Sequence, residues 1–270
     1  MATQTEDKVA YPIQRTFRLN YNHLLMKETA GYLINPRIPT SQKEIRIADV
    51  GTGTAAWALE TAAKYPNATI HGFDISDEQF SPLYTISNVR LVVHDCFKEF
   101  PAEFVEQYDV VHARFWLCLV NNPDAPVLLK NLMSLLKPGG YLQWFEPLAK
   151  SVSVWKPDPN MPSPALDRHC KIWAKPKPYT TYEWVEQLPE LFRSHGLTSV
   201  ATDRHLIGDQ FRAMWGQSNL AGYLDLVEEN VEGVGDANDI KSFVRKLEEE
   251  MKKGASFDTT FLCVVGRKAL

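Results

Sequence analysis

The chain is poor in several features that mark whole classes of protein. It has four cysteines, Cys96, Cys118, Cys170 and Cys263, with no close pair and no CxxC spacing. That excludes a disulfide scaffold and argues against a structural zinc site; free thiols in a reducing compartment, the cytoplasm, are the simplest expectation. No apolar run approaches the length needed to cross a bilayer, so no membrane association is expected. The first residues carry Glu6 and Asp7 and no apolar core, which does not suit a targeting peptide. Basic residues are not in excess: 29 Lys and Arg stand against 33 Asp and Glu, a net charge of -4. Nucleic acid is therefore not an expected partner, because phosphate binding needs a basic footprint. Internal repeats and low-complexity tracts are lacking too.

What the chain does have is alternation. After a tail at 1–10, residues 14–34 carry a helical stripe with Phe17, Tyr21, Leu24, Leu25 and Tyr32, and read as one or two helices. From residue 44 the pattern becomes strand, turn, helix. "EIRIADV", "ATIHGFDI", "NVRLVVHD", "YDVVHARF" and "YLQWFE" read as strands. "TAAWALETAAKY" and "DAPVLLKNLMSLL" read as helices, the second with Asp124 as cap, Pro126 in its first turn and "KPGG" as its stop. "SDEQFSPLYTIS" has room for only a turn or a short helix. Residues 148–195 lose the alternation, are proline-rich and aromatic, and read as an inserted lid, with a helix in "YEWVEQLPELFRSHG" closed by Gly196. "LTSVATDRHLI" reads as a strand, 210–253 as helices, and "TTFLCVVGRK" as the last strand. The expected domain plan is 1–43 tail and cap, 44–147 ligand-binding core, 148–195 lid, and 196–270 the remainder of the core. Strands alternating with helices give a doubly wound α/β sheet, in which ligands bind beyond the carboxyl ends of the strands.

Chemistry-bearing residues recur at those ends. The first strand ends at Asp49, followed by Gly51, Thr52 and Gly53. Glycine allows a tight turn and lets a ligand lie against backbone N–H groups at the positive end of the next helix. The second strand ends at Asp74, 21 residues after Gly53, a spacing suited to an acid that accepts ribose hydroxyls. Asp95, Cys96 and Phe97 follow the third strand, His112, Ala113 and Arg114 close the fourth, and Trp144, Phe145 and Glu146 close the fifth. The glycine spacing also fits a dinucleotide fingerprint. However, the chain has no Tyr-x-x-x-Lys pair, and Asp49 beside a pyrophosphate would be repelled. An NAD-dependent oxidoreductase is the less favoured alternative.

"ADVGTGTA", "HGFDIS", "VVHDCF", "YDVVHAR" and "LKPGGYLQWFEP" together resemble the class I S-adenosylmethionine-dependent methyltransferases, and most resemble the small-molecule methyltransferases of fungal secondary metabolism. The resemblance implies a Rossmann-like sheet of seven strands with an antiparallel last strand, N-terminal helices and an inserted helical lid. It implies S-adenosyl-L-methionine as cofactor and methyl transfer to an oxygen or nitrogen of a small, aromatic or apolar metabolite. Carried over, Asp49, Gly51, Thr52 and Gly53 would hold the methionine part, Asp74 the ribose, and Ile75 one face of adenine. Asp95 would meet the adenine amine, with Cys96 and Phe97 lining that pocket. The backbone at Ala113 and Arg114 would touch the amino group, and Tyr21 or His23 would close over the cofactor. Where the family's loop has its usual third glycine, this chain has Ala55, small enough to keep helix and strand close.

A methyl transfer needs a base only if the nucleophile must lose a proton, and the candidates are His112, Glu146, His23 and, in the lid, His169. His112 and Glu146 are expected to face the methyl group. Proton loss to water is an equal contender. Among Trp116, Trp144, Trp155, Trp173, Tyr179, Trp184 and Trp215, the first choices for a substrate pocket are Trp116, Trp155 and Trp173; Trp184 and Trp215 read as core. A homologue that binds the cofactor without transferring methyl, as a cyclase or regulator, has the same residue pattern. Oligomeric state is not encoded in any of these features.

Overall fold

The computed structural model describes residues 13–42, 44–80, 86–174, 182–228 and 236–270. The expected tail at 1–10, part of "SDEQFSPLYTIS" and Tyr179 lie outside the described residues. In chain order the elements are α1 (Ile13–Ala30), β1 (Arg46–Val50), α2 (Ala56–Lys64), β2 (Thr69–Asp74), β3 (Val89–Val93), β4 (Tyr108–Arg114), α3 (Ala125–Leu135) and β5 (Leu136–Pro147). They continue with β6 (Ser153–Trp155), α4 (Pro164–Ala174), α5 (Glu183–Ser194), β7 (Thr198–Leu206), α6 (Asp209–Glu228), α7 (Ala237–Lys252), β8 (Ser256–Asp258) and β9 (Thr260–Arg267).

The main sheet has seven strands in the order β3-β2-β1-β4-β5-β9-β7. β3, β2, β1, β4 and β5 run parallel, and β9 pairs antiparallel with both β5 and β7. The chain steps outward from β1 to β2 and β3, then returns to the other side of β1 as β4. That reversal is a topological switch point, where an open α/β sheet leaves a crevice at its carboxyl edge.

Alternation along the strands builds a core on each face of the sheet. Ala48, Val50, Val111, Ala113, Leu142 and Trp144 pack with Leu128 and Leu132 of α3 and Trp184, Leu188 and Phe192 of α5. Ile47, Ile70, Val110, Phe145, Cys263 and Val265 pack with Leu25 and Met26 of α1, Trp57 and Ala58 of α2, Trp215 of α6 and Phe243 and Leu247 of α7. Trp184 and Trp215 are buried core residues. α5 thus lies against the sheet beside α3, while the described elements before it, β6 and α4, form a cap, α4 packing on α7. α4 is secured by α7: the buried Glu250 carboxylate accepts the N–H groups of Ala165 and Leu166 at 2.8 and 2.9 Å, a negative charge at a helix start.

Three local expectations need correcting. Asp124 makes no side-chain cap bond to α3, although Pro126 does sit in the first turn. "KPGG" does not separate α3 from a strand; it forms the irregular start of β5, with a register shift against β4. β6 pairs with β8 in a small ribbon that ties the cap to the segment before β9. "SVSVW" carries a weak period-2 signal for it.

Candidate active site

The turn after β1 is fixed by β2. The N–H groups of Gly51 and Thr52 both donate to the Phe73 carbonyl, at 2.8 and 2.9 Å. The Thr52 hydroxyl donates to Asp49 Oδ2 at 2.6 Å, and the Gly53 N–H donates to Asp74 Oδ2 at 2.7 Å. Gly51 and Gly53 have φ of 73° and 56°, the left-handed region in which a side chain is strained. Ala55 is there as well, at φ 61° and buried. The alanine in place of a third glycine is therefore more than a question of size, because its backbone carries the cost that glycine avoids.

The carboxylates at the edge differ in environment. Asp49 is buried; desolvation pushes its carboxyl up to about 6, against the pull of the Arg114 guanidinium and the Thr52 hydroxyl. Asp74 is half-buried and shifted upward by desolvation, opposed by the backbone N–H groups of Gly53, Ile75 and Ser76. A carboxylate offers about four acceptor sites, so Asp74 has capacity left for a ligand hydroxyl. Asp95 accepts the Phe97 N–H at 3.1 Å and pairs with Lys98 at 3.3 Å; the N–H bond foremost holds its pKa below the usual range. The Cys96 thiol is buried and pushed up to about 12 by desolvation, so it stays a thiol. Ile75 and Phe97 are exposed on either side of this edge, at 69% and 36%, as two apolar walls open to a ring.

α1 crosses the same edge. Asn20 accepts from the Thr54 hydroxyl at 2.6 Å, Thr16 donates to Gln79 at 2.8 Å, and Tyr21 donates to Gln217 of α6 at 3.3 Å. His23 lies between Arg114 and Glu60, with Nδ1 2.9 Å from the guanidinium and Nε2 2.7 Å from the carboxylate. A guanidinium only donates, so Nδ1 accepts and Nε2 carries the proton toward Glu60. Burial, helped by Arg114, lowers His23 to about 4. A cavity of about 580 Å³ opens beside α1, lined by Thr16, Asn20, His23, Thr54, Ala56, Leu59, Glu60 and Gln79. Six of these eight lining residues carry polar side chains, and Trp116, Trp155 and Trp173 take no part in it.

His112 and Glu146 do not share a face of the sheet. His112 lies on the α1/α2 side, stacked on Trp57 with ring centroids 4.0 Å apart, and its Nδ1 is 3.1 Å from Gln143 Nε2. Gln143 donates that bond, so the proton sits on His112 Nε2, and burial drives the ring's pKa well below its ordinary value. Glu146 lies on the α3/α5 side, buried, with both carboxyl oxygens engaged. It accepts the N–H groups of Trp116 at 2.7 Å and Leu117 at 3.1 Å, and the Trp144 indole N–H at 2.9 Å. Burial raises Glu146 to about 8 against those three donors. The expectation that both face one reacting group thus needs correcting; strand parity, read beyond Trp144, carried a signal for it. His169 is buried in the cap, 3.0 Å from the Tyr223 hydroxyl.

The tryptophans separate as well. Trp116 lies against Gly51, where a Cβ would come within 2.7 Å of its ring, and stands edge-on to Phe97. Trp155 instead lies under the Arg212 guanidinium at 4.3 Å, and Trp173 is stacked on Tyr182 within the cap. The structure therefore brings Asp49, Gly51, Thr52, Gly53, Asp74, Ile75, Asp95, Cys96, Phe97, Ala113, Arg114 and Trp116 to one edge, with His23 above them. Trp155 and Trp173 are elsewhere. Glu60 and Gln143, which fix the histidines, gave no signal in the sequence.

The methyltransferase-domain family matches residues 21–206, more than half of the sequence. The chain belongs to that family. The resemblance to class I S-adenosylmethionine-dependent methyltransferases holds, as does the Rossmann-like fold. The N-methyltransferase verN of Clonostachys rogersoniana is 32% identical over 144 residues, 53% of this chain and 50% of that protein. The N-methyltransferase gliN of Aspergillus fumigatus is 27% identical over 184 residues, 68% of this chain and 63% of that protein. The chain spans about half the length of the first curated relatives it matches. Among solved structures, Haemonchus contortus phosphoethanolamine N-methyltransferase 2, bound to phosphomonomethylethanolamine and S-adenosylhomocysteine, superposes with a TM-score of 0.52. The two are 15% identical, and the match covers 93% of this chain and 53% of that one. The YjhP protein of E. coli gives a TM-score of 0.51 at 16% identity, over 94% and 100%. At such identities these two show the fold.

Proposed function

We propose that the chain is an S-adenosylmethionine-dependent methyltransferase acting on a nitrogen or oxygen of a small molecule, with nitrogen favoured by the names of its fungal relatives. The observation that carries this reading is the bond from Gly53 N–H to Asp74, which locks the glycine turn to the acid one strand away. When bound, the cofactor supplies a methyl group on a sulfonium, open to in-line attack. Gly51 and Gly53 present backbone to its amino-acid part, Asp74 accepts from the ribose hydroxyls, and Ile75 and Phe97 flank the adenine. Asp49 offers negative charge to the ammonium, and α1, held by His23 and Asn20, closes the edge against water.

Among the described residues, none of the three base candidates His23, His112 and Glu146 is free to take a proton from the acceptor. His23 and His112 each have Nδ1 engaged by a donor and a proton on Nε2, and Glu146 is held by three N–H groups. We therefore assign catalysis to alignment of nucleophile, methyl and sulfur, an effect worth roughly 7–11 kcal/mol in favourable cases. The acceptor then attacks as a neutral amine, whose methylated ammonium product loses its proton to water, or as an oxygen already ionised in solution. An aromatic or apolar acceptor fits the Trp116 face. The four cysteines form no disulfide among the described residues, which suits a reducing, cytoplasmic setting.

Thermal shift with S-adenosylhomocysteine against NADH tests the cofactor. A ligand at a hundredfold excess over its Kd stabilises by about 2.7 kcal/mol, so S-adenosylhomocysteine is expected to raise Tm and NADH to leave it unchanged. The reverse result overturns the proposal. Methyl-labelled cofactor with panels of amines and phenols then tests transfer.

A further inference from the structure

Four tryptophans of this chain give their buried indole N–H to a partner: Trp57 to the Leu33 carbonyl, Trp144 to Glu146, Trp184 to the Val120 carbonyl, and Trp215 to the Thr259 hydroxyl. Trp116 does not. It is 7% exposed, and its Nε1 has no hydrogen-bond partner among the described residues. An unpaired buried donor is costly, and such groups in native structures call for an explanation.

The ring is firmly held. Its backbone N–H is bound by Glu146, and its carbonyl accepts from Leu119 and Val120 at 2.8 and 2.9 Å. The preceding residue, Phe115, is in the left-handed region at φ 59° and turns the chain back over the sheet edge. The edge of the indole that faces Gly51 includes Cζ2, Cε2 and Nε1, which a Cβ there would meet at 2.7, 3.0 and 3.3 Å. The orphan donor therefore borders the main chain of the glycine turn.

We infer that the Trp116 indole N–H donates a hydrogen bond to the amino-acid carboxylate of the bound cofactor. The inference rests on the cofactor proposed above. An indole N–H is a donor only, so it needs an acceptor. At the glycine-turn end of the cofactor the ammonium is a donor and the sulfonium carries positive charge; the carboxylate is the acceptor there. At the other end, Asp74 and Asp95 are acceptors, matched to hydroxyl and amine donors. Asp49 stands for the ammonium and Trp116 for the carboxylate, so the two ends of the amino-acid group are read by opposite chemistries. Trp116 thereby becomes a cofactor residue rather than only a substrate wall, and Glu146 becomes the positioning residue that holds it.

The test compares two ligands by calorimetry: S-adenosylhomocysteine, which has the carboxylate, and 5′-methylthioadenosine, which lacks the amino-acid part. Trp116 is replaced by 3-(3-benzothienyl)alanine, which keeps the ring volume and removes the N–H, and in parallel by phenylalanine. The expected result is at least about a tenfold loss of affinity for S-adenosylhomocysteine with methylthioadenosine unchanged, since a hydrogen bond to a charged group is at stake. Equal losses on both ligands, or no loss on S-adenosylhomocysteine, overturn the inference. A second measurement needs no variant to fold well for binding: in the ¹⁵N-indole spectrum of the wild-type protein, the Trp116 proton moves downfield with S-adenosylhomocysteine and not with methylthioadenosine. An unmoved proton overturns it too. Failure of wild-type protein to bind either ligand overturns the parent reading, whereas failure of this inference alone leaves wild-type affinity for S-adenosylhomocysteine in place.

Discussion

Replacing Asp74 tests the site most directly. Its carboxylate has two roles that the structure separates. Oδ2 accepts the Gly53 N–H at 2.7 Å and Oδ1 accepts the Ile75 N–H at 2.9 Å, which fixes the turns after β1 and β2. The remaining lone pairs face the edge where the ribose is proposed to lie. Asp74→Ala removes both roles. The N–H groups it holds, those of Gly53, Ile75 and Ser76, are at partly or fully exposed residues, so water can replace the carboxylate, and the loss of stability is expected to be about 1–2 kcal/mol. For a domain of this size that lowers Tm by roughly 2–8 °C. Two hydroxyl bonds to an ionised acceptor are worth roughly 1.5–3 kcal/mol each. Cofactor affinity is therefore expected to fall by about 3–6 kcal/mol, or two to four powers of ten in Kd.

Titration calorimetry with S-adenosylhomocysteine measures the second number and differential scanning calorimetry the first. A double-mutant cycle separates local disorder from lost ribose contacts. Wild type and Asp74→Ala are each titrated with S-adenosylhomocysteine and its 2′-deoxy analogue. Direct contact gives a coupling above about 1 kcal/mol; a loop effect alone gives additivity. Wild-type affinity in Asp74→Ala, or additivity in the cycle, would refute the placement of the ribose. Asp74→Asn, which keeps one acceptor oxygen, is expected to fall between the two.

Four further outcomes are expected. Ala55→Gly removes a left-handed alanine at φ 61° and is expected to stabilise the protein by roughly 0.5–1 kcal/mol, visible as a raised midpoint in urea. Gly51→Ala places a Cβ 2.7 Å from the Trp116 ring at φ 73°, so S-adenosylhomocysteine binding should be lost with far-UV dichroism retained. The Glu146 carboxyl has a native pKa raised by burial to about 8, above its unfolded value, so its contribution is full below about pH 4.5 and is lost as pH rises toward 8. His23, His71, His112 and His205, all lowered by burial, act in the opposite sense as pH rises to about 6.5. The wild-type Tm measured relative to Glu146→Gln should therefore decline steadily from pH 5 to 8, and a constant difference would contradict the assignment. Finally, for an amine acceptor at saturating cofactor, kcat should follow the ionisation of the acceptor above pH 7, beyond the range in which Asp49 titrates; a basic limb that stays fixed across acceptors of different pKa would contradict catalysis by alignment.

The sheet could be read from the sequence because its determinants are local. Five apolar runs, each ending within a few residues of a glycine, an acid or a histidine, set the strands, and the 3.6-residue stripes between them set the crossovers. The β6–β8 ribbon could not, since three residues per strand carry little pattern and the pairing joins residues about 100 apart in sequence. That Asp49, Gly51, Gly53, Asp74 and Asp95 gather at one edge was readable because each follows or ends a parallel strand, and such strands end on the same side of the sheet. The faces taken by His112 and Glu146 were harder to read. Each strand's parity is visible, but relating one strand's parity to another's needs the register, and β4 and β5 meet through a register shift. The reversal at Phe115, an aromatic residue in a backbone region that sequence rules reserve for glycine or asparagine, was invisible for the same reason.

That difficulty bears on function. Three groups at or near the edge, His23, His112 and Glu146, look like acid–base machinery in a list of residues. In the fold each is absorbed into holding something in place. Arg114 and Glu60 fix His23, and with it α1 over the glycine turn; Gln143 and Trp57 fix His112 beneath β4; Glu146 fixes the backbone that carries Trp116. A transfer in which positive charge disappears from sulfur has little need of a proton acceptor and much need of a rigid, dry and well-aligned edge. Spending ionisable side chains on rigidity is consistent with that chemistry, since hydrogen-bonded buried groups such as His23 and Glu146 specify one geometry, and the geometry is what in-line displacement demands.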